Sequence, residues 1–209
     1  MPIRDKIRRV KHLQNKYFIC VLENPKDVMN IAATLRNVSA FGVEKLYVIG
    51  NNSMVIDFEA SRNNKRLTSL SVGSNKWVFV KSFETAADCL THLRMNRYTV
   101  AVTSSHLKGK QNVNLYEASF TQPRLAVWFG NESRGISCEA AEAADMCIQI
   151  HMGGAVESLN LGTSTGIILS YIGYQRLRFV YDNKQTTINS QSITSQKIRS
   201  WVDFIKPMS

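Results

Sequence analysis

Three short polar islands interrupt a chain that otherwise alternates between apolar runs and charged faces. The first holds Asn30 and Arg36. The second is Phe129-Gly130-Asn131-Glu132-Ser133-Arg134-Gly135-Ile136, and the third holds Ser158 and Asn160 behind Gly153-Gly154. Together they supply a permanent cation, a carboxylate, a hydroxyl and two amides. Such a set can anchor a phosphate, stabilise an oxygen that gains negative charge as it loses a proton, and orient a small ligand. Each island also has a plainer explanation, so its weight depends on the element that carries it.

Asn30 and Arg36 fall on a helical segment that starts near Asp27, whose side chain can accept from free N–H groups, and ends at Gly42. At about 100° per residue, Val28, Ile31, Leu35 and Val38 form one apolar stripe. The far side carries Met29, Ala33 and Ala40, small or apolar where a solvated helix shows charge, which predicts a second cover such as another subunit. Arg36 borders that face on one side, and Asn30, Thr34 and Asn37 form a polar line on the other. A surface arginine and a capping asparagine explain this island as well as a crevice does.

The second island follows an apolar strand over 124–129, so Gly130-x-Glu132-x-x-Gly135 reads as a ligand loop at a sheet's C-terminal edge. Its glycines allow close backbone approach. A lone buried carboxylate is expensive, and a Glu132–Arg134 ion pair is the plain alternative. The third island joins a strand over 147–151 to a long helix over 158–180. Free N–H groups there, with Ser158 and Asn160, offer several donors to a ligand. Equally, Gly153-Gly154 is a turn and Ser158 an N-cap. Gly162, Gly166 and Gly173 share one stripe of that helix. Glycine weakens a helix, so something must approach closely, either a ligand or a packed neighbour.

These islands need a frame. Strands over 17–22, 45–49, 76–80, 98–103, 124–129 and 147–151 alternate with the helix from Asp27 and helices over 83–95, 138–144 and 158–180. That order predicts an α/β fold, a mainly parallel sheet with helices on both faces. The stretch 51–75 breaks the pattern; polar and basic, with Arg62, Lys65 and Arg66, it reads as a long loop. Ahead of the core (17–180) lies a basic amphipathic helix over 1–16. Behind it, over 181–209, come a polar linker and a last helix with Ile198, Trp201, Val202 and Ile205 on one face.

The chain has 26 Lys and Arg against 16 Asp and Glu, a formal charge of +10, which points to a polyanionic partner, nucleic acid first. Four cysteines and four histidines are scattered without a Cys-x-x-Cys pair, which argues against a metal site and suits reduced thiols in the cytoplasm. No apolar run is long enough for a membrane span and no secretory segment stands out. Neither Gly-x-Gly-x-x-Gly nor a phosphate-cradling lysine loop occurs.

Taken in order, the islands resemble the three signature motifs of the TrmH-type RNA ribose 2′-O-methyltransferases of the SPOUT superfamily. Asn-Pro-x-x-x-x-Asn30-x-x-Ala-x-x-Arg36 is similar to the first, Phe129-Gly130-Asn131-Glu132 with Gly135 to the second, and Ile150-x-Met152 with Ser158-Leu159-Asn160 to the third. Gly73-Ser74-x-Lys76-Trp77 and the basic N-terminal helix resemble the branch that modifies guanosine 18 of tRNA. The resemblance implies a homodimer, a C-terminal trefoil knot and S-adenosylmethionine as cofactor. It puts Asn30, Arg36, Glu132, Ser158 and Asn160 on the catalytic positions, and Thr103, Ser104, Gly130, Ile150, Met152 and Leu159 around the cofactor. Arg8, Arg9, Lys11, Arg62, Arg66 and Arg176 are the expected RNA contacts. Two positions depart from the family pattern: His151 where proline is common, and Leu161-Gly162 where Val-Ser usually follows. A ribosomal RNA methyltransferase, or a non-catalytic RNA-binding relative, are the competing readings.

The implied reaction gives the ribose 2′-oxygen a methyl group, and the family account makes the arginine its proton acceptor. A guanidinium stays protonated, and an adjacent phosphate favours that form further. The expectation here is therefore that Arg36 anchors the phosphate and steadies the alkoxide, while the proton leaves through Ser158 or water. Asn30 and Asn160 orient groups, and Glu132 braces the cofactor loop. If the N-terminal cations bind phosphates, deleting residues 1–11 will weaken RNA binding and flatten its salt dependence. An unchanged slope of log K against log salt would remove them from that role.

Overall fold

The computed structural model describes residues 14–50, 63–104 and 111–188, with the helix backbone alone over 181–188. Seven strands form one sheet in the order β3-β2-β1-β6-β4-β7-β5, and every pairing is parallel. They are β1 (Asn15–Glu23), β2 (Val43–Ile49), β3 (Phe79–Phe83), β4 (Thr99–Thr103), β5 (Asn112–Asn114), β6 (Leu125–Phe129) and β7 (Met146–Gln149). The central pair is apolar almost without a break, as a strand covered on both faces must be. Phe18, Cys20 and Leu22 of β1 enter one core with Leu125, Val127 and Phe129 of β6, while Ile19 and Val21 enter the other with Ala126 and Trp128.

The first core is closed by α1 (Val28–Ala40), α2 (Lys65–Leu70) and α5 (Leu161–Ile188), the second by α3 (Ala86–Met95) and α4 (Cys138–Ala143). Asp27 caps α1, its carboxylate accepting from the Met29 N–H at 2.8 Å, and Val28, Ile31, Leu35 and Val38 are buried. No helix among the described residues is long and apolar enough to cross a membrane.

Four details differ from the sequence expectation. The third strand begins at Phe79, because Ser74–Lys76 is a 3-10 turn. The stretch expected to be all loop contains α2, capped by Asn64 accepting from the Leu67 N–H, and Leu67 and Asn75 are fully buried. The strand β5 has one apolar residue in three, too little pattern to recognise. The last core helix starts at Leu161, three residues late, and runs to Ile188, beyond the expected end at Val180. The expected basic helix with Arg8, Arg9 and Lys11, the loop residue Arg62 and the helix over 198–205 lie outside the described residues.

The glycine stripe of α5 packs on α1. A Cβ on Gly162 would stand 2.8 Å from the Ala33 Cβ, whereas one on Gly166 would stand 3.4 Å from the Asn37 side chain. Of the two readings left open for that stripe, the packed neighbour is the one found. Thr34 and Thr165 are fully buried across this seam, and the Asn37 amide donates to the Gly162 carbonyl and the Thr165 hydroxyl, both at 2.9 Å. Overpacking costs about 1–3 kcal/mol, against about 1 kcal/mol of helix propensity gained on replacing glycine by alanine. Gly162→Ala should therefore destabilise the fold in denaturant unfolding, while Gly166→Ala should be neutral or mildly stabilising.

Candidate active site

A cavity of about 590 Å³ opens where β4, β6 and β7 end, within the size range of small-ligand sites. The carboxyl edge of a parallel sheet is where such sites form, because strand ends and helix starts leave backbone groups free there. Thr103 and Ser104 line it from the end of β4, Gly130 and Glu132 from the loop after β6, and Ile150, Met152, Ser158, Leu159 and Asn160 from the segment after β7. Nine of the residues singled out from the sequence thus line one cavity. Leu161 and Ile168 of α5 and Ile136 add apolar surface.

The loop after β6 closes on itself. Asn131 and Gly135 exchange both backbone hydrogen bonds at 2.8 Å, and the Asn131 side chain accepts from the Ser133 and Arg134 N–H groups. A Cβ on Gly130 would lie 2.2 Å from the Gly135 carbonyl carbon. Gly130 lets the loop approach its own backbone, and Gly135 supplies a φ of +68°; both also line the cavity. Among the described residues Glu132 forms no ion pair with Arg134; its side-chain partner is on α1.

There Glu132 meets Asn30. The Asn30 amide donates to Glu132 Oε1 at 2.8 Å, and its carbonyl oxygen accepts from Asn160 Nδ2 at 2.9 Å. The Lys26 N–H donates to the other carboxylate oxygen at 3.4 Å. A single hydrogen-bonded chain, Asn160 to Asn30 to Glu132, therefore ties all three islands together. Asn160 also caps α5, accepting from the Thr163 N–H at 3.3 Å. That is the task expected of Ser158 on the plain alternative, and Ser158 instead stands exposed on the cavity wall. Partial burial opposes ionisation of Glu132, but the bonds from Asn30 and from backbone N–H groups outweigh it and hold the carboxyl below its ordinary pKa.

Arg36 stands apart. It is exposed, it does not line the cavity, and among the described residues its guanidinium meets no acceptor. Arg66 is exposed on α2. Arg176 corrects the expected RNA surface: it is 7% exposed, and its guanidinium donates to the carbonyls of Phe120, Gln122 and Pro123 and covers the Phe18 ring. Burial lowers its pKa from the usual arginine value. Its hydrogen bonds pin the loop before β6 to α5, and the Arg176 Nε is buried with no hydrogen-bond partner among the described residues.

The roles of two residues at this site escaped sequence reading. Asn131, 8% exposed, shapes the turn that presents Glu132, a role hinted at by the turn-forming habit of Asn beside Gly. Glu23, 4% exposed, ends β1 and accepts from the Trp128 indole at 2.8 Å and the Ser137 N–H at 3.2 Å, fixing the far end of the same loop. Its only sequence signal was a carboxylate closing an apolar run.

Fold and cavity define a parallel-sheet α/β protein that takes a small ligand at the carboxyl ends of its strands. The chain belongs to the SpoU rRNA Methylase family, which it matches over residues 17–170. It is 32% identical over 171 residues to the tRNA (guanosine(18)-2′-O)-methyltransferase of Aquifex aeolicus, spanning 82% of this chain and 75% of that protein. The crystal structure of the A. aeolicus TrmH/SpoU tRNA modifying enzyme superposes with a TM-score of 0.68 at 26% identity, covering 96% of this chain and 94% of that one. The SpoU methyltransferase AviRb of Streptomyces viridochromogenes, solved in complex with the cofactor AdoMet, shares the fold at a TM-score of 0.67 and 21% identity, over 78% and 59% of the two chains.

Removing the link between the islands has a signed pH dependence. Asn30 is 6% exposed, so Asn30→Ala should cost about 1–3 kcal/mol near neutrality. A depressed carboxyl pKa contributes stability above the unfolded value, near 4.3, that is lost as pH falls through the lower folded value. The difference between wild type and Asn30→Ala in unfolding experiments should therefore shrink below about pH 4. A gap that stays constant to pH 3 would contradict the Asn30–Glu132 link.

Proposed function

We propose that this chain is an S-adenosylmethionine-dependent RNA ribose 2′-O-methyltransferase that modifies guanosine 18 of tRNA. The observation that carries the reading is the hydrogen-bonded chain from Asn160 through Asn30 to Glu132 at the mouth of the strand-end cavity. The named activity of the A. aeolicus relative and the guanosine-18 features of the sequence support the tRNA branch.

The residues present fit the cofactor. The cavity offers apolar surface at Ile150, Met152 and Leu159 for a purine ring, and polar lining at Thr103, Ser104 and Gly130 for its polar edges. Bound there, S-adenosylmethionine supplies an activated methyl group. The ribose 2′-oxygen must lose its proton to become a nucleophile. Arg36 holds the neighbouring phosphate and steadies the charge that develops. Ser158 passes the proton to water. Asn160 donates to Asn30 and Asn30 to Glu132, a chain that positions the wall while Glu132 braces the cofactor loop.

A homodimer belongs to this reading, as does the trefoil knot that the family resemblance implies. Met29 on α1 is 55% exposed, and Tyr174, Phe179 and Val180 on α5 are 45–48% exposed, apolar surface available to a second copy. Arg36 lies on the uncovered side of α1, outside its own chain's cavity. The cytoplasm is the compartment where such an RNA substrate and the four free thiols are compatible. The family description names ribosomal RNA, which gives the second reading its footing.

With labelled cofactor, the purified chain should methylate total tRNA and leave ribosomal RNA unlabelled; the opposite pattern establishes the second reading. Arg36→Ala should lower kcat by about 10²–10³ with calorimetric cofactor affinity unchanged. If Arg36→Lys restores activity with a basic limb set by the lysine pKa, the fixed-cation role fails and a proton-accepting role replaces it.

A further inference from the structure

The segment between α2 and β3 holds a strained residue that the chemistry above does not use. α2 ends in a Schellman motif: the Gly73 N–H donates to the Thr68 carbonyl at 2.8 Å and the Val72 N–H to the Ser69 carbonyl at 3.3 Å. The position this motif normally gives to glycine is taken by Val72, whose φ is +52°. A β-branched residue in the left-handed region is unfavourable. Apolar burial does not repay it, because Val72 is 68% exposed.

The surroundings hold the turn rigidly in place. Asn75 is fully buried, its amide donating to the Thr68 hydroxyl at 2.9 Å while its carbonyl oxygen accepts from the Ser71 hydroxyl at 3.2 Å. Strain of this kind persists where the structure over-determines it, and such places are commonly functional. The charge around it has one sign. Residues 60–83 contain Arg62, Lys65, Arg66, Lys76 and Lys81 and no Asp or Glu. Lys65, Arg66 and Lys76 are exposed.

The segment also adjoins the cation assigned to substrate. α2 and the 74–76 turn both pack on α1. At about 100° per residue, Ala32 lies roughly 160° round α1 from Thr34, which faces α5, yet it too is buried. The α2 side is the cover available there. Arg36 follows about 40° further round, at the border between that cover and solvent.

We propose that the turn at Val72–Gly73, flanked by Arg66 and Lys76, is an RNA contact that seats the nucleotides next to the one held by Arg36. Val72 packs on a ribose or base face, and the two cations hold phosphates, a mixed contact typical of unstacked RNA. The proposal rests on the RNA-methyltransferase reading.

The test sets stability against binding. Val72→Gly restores the residue the motif prefers, so thermal stability should hold or rise, while affinity for a guanosine-18 tRNA transcript should fall about fivefold to tenfold, with KM rising, kcat nearly kept and cofactor affinity unchanged. Arg66→Gln and Lys76→Gln should each reduce the salt slope of tRNA binding by about one. Unchanged tRNA affinity in Val72→Gly, or salt slopes equal to wild type, overturns the proposal. So does a Val72→Gly variant whose self-association changes while tRNA affinity does not, since the turn would then contact protein. Wild-type protein that neither binds nor methylates tRNA overturns the underlying reading instead, which keeps the two failures distinct.

Discussion

A buried amide has to be satisfied at both ends, and Asn30 meets that demand with partners from two different strand ends. Its N–H group goes to Glu132 after β6 and its carbonyl oxygen to Asn160 after β7. Leaving either end unpaired in the seam between α1 and α5 would cost about 1–3 kcal/mol. One side chain thereby fixes the relative placement of a helix and two loops. The precondition is close helix contact. Asn160 reaches Asn30 because the first turn of α5 touches α1 at Ala33, where Gly162 leaves room for no side chain of its own. The departure from the family's usual Val-Ser after Ser-Leu-Asn thus has a packing consequence at the site itself.

The two loops that Asn30 connects differ in how they are built. The one after β6 is closed by paired backbone bonds, by Asn131 and, at its far end, by the buried carboxylate of Glu23. The one after β7 runs from Ile150 to Asn160 without regular structure and is largely exposed, with Val156 62% open. A cavity with one braced wall and one irregular wall can keep reactive groups in register on the first while the second adjusts to a ligand. His151, in place of the proline common in the family, leaves that second wall without a fixed φ.

The sheet was legible because its strands are apolar on both faces and its helices show clean stripes, as Val28, Ile31, Leu35 and Val38 do. The cavity-lining residues were legible because strand-end loops carry their glycines and polar groups within a few positions of an apolar run. What escaped depended on long-range partners. Arg176 is separated by more than fifty residues from the carbonyls it binds, and nothing local distinguishes it from a solvated arginine. Glu132 carried a plausible ion pair two residues away, yet its partner is an asparagine 102 positions distant. The short helix α2 was hidden because its burial rests on Leu67 and on a polar cluster around Asn75, which leaves no apolar period to read.

Asn30 and Arg36 are close in sequence but divide between two surfaces. Six residues of helix advance about 9 Å and turn about 240°, so when Asn30 faces its own cavity Arg36 cannot. The charged hydrogen bond to Glu132 holds α1 in that rotation. On the proposed reading, a guanidinium that must meet the reacting oxygen therefore needs either RNA that wraps around α1 or a second copy that brings its own cavity to the uncovered face. The exposed Met29, seven residues before Arg36 and on the same face of α1, favours the second. A two-fold pairing uses one patch twice and so gives both cavities the same guanidinium at no added complexity. The spacing of six between amide and cation is then a property of an assembly, which explains why neither residue looked decisive when the helix was considered alone.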